Sequence, residues 1–186
     1  MGIRTSSETK LLDAAEQLFF ARGISATPID AVIEAAGVSP ATLYRGYTGK
    51  DDLVAAVLTR RHQHWMQAWQ EAIDRRASVP DRLLAVFDAL EEFRAQPHPS
   101  RWCAFLGTAA EYVEPPAGVD EAVARDTASL RARLSELAAP LGEPRAATLV
   151  EQVLLLVSGY LAMRLRDPAD SAATARTIAA GLVADV

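Results

Sequence analysis

The side chains best equipped for chemistry in this chain are crowded into one short run, Ser39-Pro40-Ala41-Thr42-Leu43-Tyr44-Arg45. Hydroxyls and a guanidinium fork suit hydrogen bonding to phosphate oxygens and base edges rather than bond-breaking chemistry. Arg45 can donate two bonds to guanine, and Thr42 can meet either a base edge or the backbone. Tyr44 and the nearby Lys50 can hold phosphates. Ala41 and Thr42 are small enough for a helix to sit deep in a major groove. Ser39 is a good helix cap and Pro40 suits the first helical position. These residues therefore cluster at a helix N-terminus, whose free N–H groups and partial positive charge favour phosphate. The candidate DNA contacts are Ser39, Pro40, Ala41, Thr42, Tyr44, Arg45 and Lys50, with Thr27 as the expected cap of the preceding helix. Arg4, in an N-terminal arm, could reach a minor groove.

Catalytic and metal chemistry find little support. His62 and His64 stand two apart on an expected helix and point in different directions, so they do not make a metal pair. The single cysteine, Cys103, has no resolving partner or recognisable base, and packing accounts for it. No glycine-rich phosphate loop or nucleophile elbow occurs. No enzyme activity, metal or cofactor is expected. One cysteine also fits a reducing compartment. The apolar stretch VLLLV (153–157) is far shorter than the roughly 20 residues of a membrane helix, and no leader-like run opens the chain. The expected location is cytoplasmic, without a membrane partner.

The elements that must position these residues are helices. Alanine, leucine, arginine and glutamate dominate the 186 residues, and no alternating β-branched run is present. Proline and glycine divide the chain into expected helices at 6–22, 28–36, within 37–47 from Pro40, 49–76, 81–95, 100–113, 119–139, 143–166 and 169–184. Thr5-Ser6-Ser7-Glu8 reads as a capping box for the first, and Leu11, Ala15, Leu18, Phe19 and Arg22 as its core face. A three-residue turn containing Gly37 joins the second and third, which is the sequence form of a helix-turn-helix. The fold class is all-α, with a three-helix helix-turn-helix domain at 1–50 and a helical ligand-binding and dimerisation domain at 51–186.

In that second domain, Val150, Val153, Leu154, Val157 and Leu161 line one face of a long helix. Ala175, Ala179 and Leu182 offer a small-residue face on the last helix, and such faces are buried either centrally in a bundle or between the core and a partner, the candidate homodimer interface. The candidate effector-binding residues are Trp65, Trp69, Phe87, Trp102, Phe105, Tyr112, Tyr160 and Met163. Glu111, a carboxylate on a largely apolar helix, would attract a cationic ligand.

Residues 8–58 resemble the DNA-binding domain of TetR-family transcriptional regulators. The pattern comprises L-x-A-A-x-x-L-F at 12–19, Gly23, Thr27, A-G-V-S at 36–39, T-L-Y at 42–44, Tyr47 and Lys50-Asp51-Asp52-Leu53. The chain departs from the family with Tyr47 for a common Phe, Gly46 for a frequent His, Ile33 for a small alanine and Asp30 for a frequent basic residue. RWCAFLGTAAE (101–111) is similar to a C-x-x-x-N-x-A-x-E segment of one group of these regulators, with Gly107 replacing the Asn. The resemblance implies a dimeric repressor. It would bind a palindromic, double-stranded DNA operator, pair its last two long helices with the partner's, and be released by a small-molecule effector.

Charge opens an alternative. Residues 1–50 carry five basic and five acidic side chains, so the net charge of −5 belongs entirely to the rest of the chain. A neutral head with Gly46 in place of His also fits a dimeric small-molecule-binding protein whose operator binding is weak or lost.

Overall fold

The computed structural model describes residues 3–95 and 103–184, which form nine α-helices and no strand. In order they are α1 (Thr5–Arg22), α2 (Ile29–Ala36), α3 (Pro40–Gly46), α4 (Lys50–Asp74), α5 (Val79–Arg94), α6 (Ala104–Glu111), α7 (Ala117–Ala138), α8 (Arg145–Arg166) and α9 (Ala173–Ala184). A single 3-10 turn, Ala139–Leu141, follows α7.

Helix starts differ from the sequence expectation for identifiable reasons. Thr5 is already helical, Arg4 occupies the cap position without a side-chain cap bond, and the expected capping box does not form. Glu8 instead accepts a hydrogen bond from the Tyr47 hydroxyl at 3.4 Å. Thr27 does not cap α2. Its hydroxyl donates to the Gly23 carbonyl at 2.7 Å, and Pro28 takes the cap position. Where the polar group was correctly placed, the cap is made: Ser39 accepts from the Thr42 N–H at 3.2 Å. Gly37 ends α2 in the left-handed region (φ 62°), where a Cβ would be strained, and so permits the sharp entry into α3.

The chain divides into two compact units, Met1–His62 with Pro97–Ala124, and Gln63–Gln96 with Arg125–Val186. The first is larger than 1–50 because its core, built on Leu11, Phe19, Val32, Leu43, Leu53 and Val57, also takes in Phe105 and Val119. Arg22, expected on the core face of α1, is exposed. Glu16 is buried there instead, its carboxylate held by Arg60 at 2.7 Å and Arg61 at 2.6 Å. A buried carboxylate is tolerable only when paired in this way.

The second unit packs Trp69, Leu83, Phe87, Leu134, Val153, Val157 and Ala179. At 22 residues α8 is long and apolar enough to cross a membrane by length and composition, contrary to the impression left by VLLLV alone. Its Val150, Val153, Leu154 and Val157 are buried in the core of the unit, so packing accounts for the apolarity of that face.

Candidate nucleic-acid interface and effector region

Leu43 is fully buried and anchors α3, while Val32 and Ile33 bury the facing side of α2. Once these point inward, Pro40, Ala41, Tyr44 and Arg45 are exposed and Thr42 is half-buried. Tyr44 is the most conspicuous, an aromatic ring with 57% of its surface exposed and no core role. The Ser39 and Thr42 hydroxyls lie 2.9 Å apart, which fixes the first turn and leaves its outward surface small. The structure thus brings Ser39, Pro40, Ala41, Thr42, Tyr44 and Arg45 together at one helix end.

The other expected contacts divide. Thr27 is 1% exposed with its hydroxyl spent on Gly23, so it organises the turn and is not available to DNA. Lys50 is half-buried at the start of α4, its ammonium 6.0 Å from the centre of the Phe19 ring. Arg4 is exposed, while its carbonyl receives the Ser7 and Glu8 N–H groups at 2.9 and 3.0 Å. Gly46 is explained by its neighbour: a Cβ there would come within 3.1 Å of Ile3 Cγ2, so the N-terminal arm uses the space a side chain would fill. Tyr47 is buried, and burial, followed by the adjacent Glu8, pushes its pKa up to about 12.

The expected effector residues fall in both compact units. Trp65 and Trp69 stack with centroids 5.6 Å apart, Phe93 meets Trp65 edge-on at 5.7 Å, and Phe87 and Tyr160 share the same buried cluster in the second unit. Tyr160 donates to Glu91 at 2.6 Å, and burial with this bond raises its pKa to about 12. Phe105 and Tyr112 belong to the core of the first unit, and Met163 is exposed. Trp102 lies outside the described residues.

Glu111 is corrected most sharply. Its carboxylate accepts the Ile24 and Ser25 backbone N–H groups at 3.1 and 2.8 Å, so it is engaged by the turn after α1 and is not free for a cationic ligand. Among the described residues of the second unit, the buried side-chain nitrogens without a partner are Trp69 Nε1 and Arg164 Nε. Both are donors.

The expected dimer stripe is largely subunit core. Val150, Val153, Leu154, Val157, Ala175 and Ala179 are buried within the unit, and Leu161 and Leu182 are half-buried against it. The apolar residues left exposed are Leu155, at 73%, with Met163 and Leu165 on α8 and Ile178, at 50%, on α9. Gly159 and Ala162 follow Leu155 at helical spacing, and Gly181 follows Ile178; all three are exposed. Only the tertiary packing separates the inner face of α8 from the outer one.

A family model described as bacterial regulatory proteins, tetR family, matches residues 11–57. The HTH-type transcriptional repressor KstR2 of Mycobacterium tuberculosis is 30% identical over 96 residues, covering 49% of this chain and 48% of that protein. The HTH-type transcriptional activator FasR of Mycolicibacterium smegmatis is 31% identical over 90 residues, 48% of this chain and 41% of that protein. The matched stretch therefore spans about half or less of these relatives. Over almost the whole chain, the structure is similar to SCO4454, a TetR-family transcriptional regulator from Streptomyces coelicolor. The TM-score is 0.88 with 28% identity, covering 98% of this chain and 97% of that one.

Proposed function

Because the chain belongs to the tetR family of bacterial regulatory proteins, we propose that it binds a palindromic operator as a homodimer and releases it in response to a small effector. The observation that carries this reading is α3 itself. It is a short helix capped by Ser39 and anchored by a fully buried Leu43, with Tyr44 and Arg45 exposed beside its N-terminal turn. Residues 1–50 carry DNA binding through Ser39, Pro40, Ala41, Thr42, Tyr44 and Arg45, with Lys50 and Arg4 at the margin. Residues 51–186 carry dimerisation and effector binding. The protein acts in the cytoplasm, as a repressor.

Dimerisation uses the outer face of α8 and α9, with Leu155, Gly159, Ala162, Ile178 and Gly181. Large exposed side chains beside small ones allow two copies of the helix pair to pack closely. The effector is a small, largely apolar molecule with a hydrogen-bond acceptor, which suits the donors Trp69 Nε1 and Arg164 Nε.

A second reading, a small-molecule-binding dimer with lost operator binding, is favoured by the absence of net positive charge in residues 1–50. Purified protein incubated with fragments of its own genome separates the two. Retention of particular fragments above bulk DNA supports the regulator, and uniform weak retention supports the alternative.

A further inference from the structure

The two residues that close α6 hold the reading unit at both of its ends. Glu111 is the last residue of the helix, and its carboxylate accepts from the N–H groups of Ile24, at 3.1 Å, and Ser25, at 2.8 Å. Tyr112 is the next residue, and its hydroxyl donates to Asp51 Oδ1 at 2.7 Å. Ile24 and Ser25 lie in the turn before α2, and Asp51 lies in the first turn of α4, just after α3. Residues 26–50, which contain both helices of the helix-turn-helix, are therefore spanned by two anchor points fixed to adjacent residues of one helix. All of these groups belong to the first compact unit.

We propose that Glu111 and Tyr112 form a clamp through which α6 sets the pose of the recognition helix. The chemistry is matched to that role. A carboxylate receiving two backbone N–H groups makes charge-assisted bonds, stronger than neutral ones, to donors in the turn between α1 and α2. Gly23 adjoins the contact: a Cβ there would stand 3.5 Å from Glu111 Oε2, and its φ of 96° disfavours any side chain. Tyr112 is half-buried, and burial together with the bond to Asp51 holds its hydroxyl protonated at any physiological pH, so it remains a donor. Bonds within α6 order this end, the Tyr112 N–H meeting the Thr108 carbonyl at 3.2 Å and the buried Thr108 hydroxyl donating to the Ala104 carbonyl at 2.8 Å, and Phe105 anchors the helix in the core of the unit. Neither clamp residue faces DNA through α3, so both are positioning residues and not contacts.

The inference rests on the dimeric-regulator reading, because a fixed pose matters most when two recognition helices must meet one duplex together. The probe is a palindromic duplex selected by the wild-type protein from a random-sequence library, then rebuilt with its half-sites one base pair closer or farther apart. Wild type should bind the selected spacing and lose affinity steeply at the others. Glu111→Ala with Tyr112→Phe should bind the selected spacing roughly 10-fold more weakly and show a flattened dependence on spacing, at wild-type helix content. A role confined to stability would leave the spacing profile unchanged, and that result overturns the clamp. Glu111→Gln, which keeps one acceptor, should fall between. Hydrogen exchange of the wild-type protein provides a check that needs no variant. The Ile24 and Ser25 amides should be protected well beyond other exposed turn amides, and fast exchange at both would also overturn the clamp. Failure of the wild type to select any duplex would instead count against the regulator reading.

Discussion

Arg45 and Tyr44 are neighbours on α3, yet they should fail in different ways when altered. Arg45→Ala removes a fork able to bond a guanine edge, so preference should relax at one position of each half-site, by about 1–3 kcal/mol. Tyr44→Phe removes a phosphate partner, so affinity should drop evenly across all sequences. Mobility shifts with each half-site base varied distinguish the two patterns; equal behaviour of both variants would remove α3 as the reader. A buried hydroxyl makes a separate, pH-dependent prediction. The Tyr160 pKa is raised to about 12 from 10.0 by burial and its bond to Glu91. A group whose folded pKa is raised contributes stability that is complete below the unfolded value and lost as pH climbs through the folded one. Urea unfolding should therefore show stability falling between about pH 10 and 12, with a smaller fall in Tyr160→Phe. An identical slope in the variant would assign the loss to other groups.

At the level of elements, the proposed dimer rests on the outer face of α8 and α9. Leu155→Arg and Ile178→Arg, on the outer face, should give folded monomers, because the charge meets only the surface a second copy would cover. Val157→Arg should unfold the protein, since Val157 is 1% exposed inside the unit. Sedimentation with circular dichroism measures both outcomes, and a dimeric Leu155→Arg would move the interface elsewhere. The helices themselves were legible from proline and glycine punctuation, and α3 was legible down to its Ser39 cap and Gly37 turn. Local chemistry determines those features. What was not legible depended on residues distant in sequence. Glu111 lies 87 positions from Ile24, and no local pattern pairs them. Thr27 looked like a cap because threonine commonly is one, but the Gly23 carbonyl captured its hydroxyl. Val153 and Leu155 differ only in which face of α8 the rest of the unit covers.

For the whole molecule, charge limits how DNA is held. Five basic residues in 1–50 per protomer, at about −0.9 in log–log salt slope for each neutralised phosphate, set a ceiling near −9 for a dimer. A steeper measured slope would mean that basic residues outside the head touch the duplex. The proposed two-fold symmetry adds a geometric demand: paired recognition helices would read half-sites about 34–36 Å apart, centre to centre. Footprinting a fragment retained by the purified protein tests the central claim most directly. Two symmetric protected half-sites separated by one helical turn, absent with Leu155→Arg and altered at one base position with Arg45→Ala, are the expected result. Protection without symmetry, or an unchanged footprint in both variants, would contradict it.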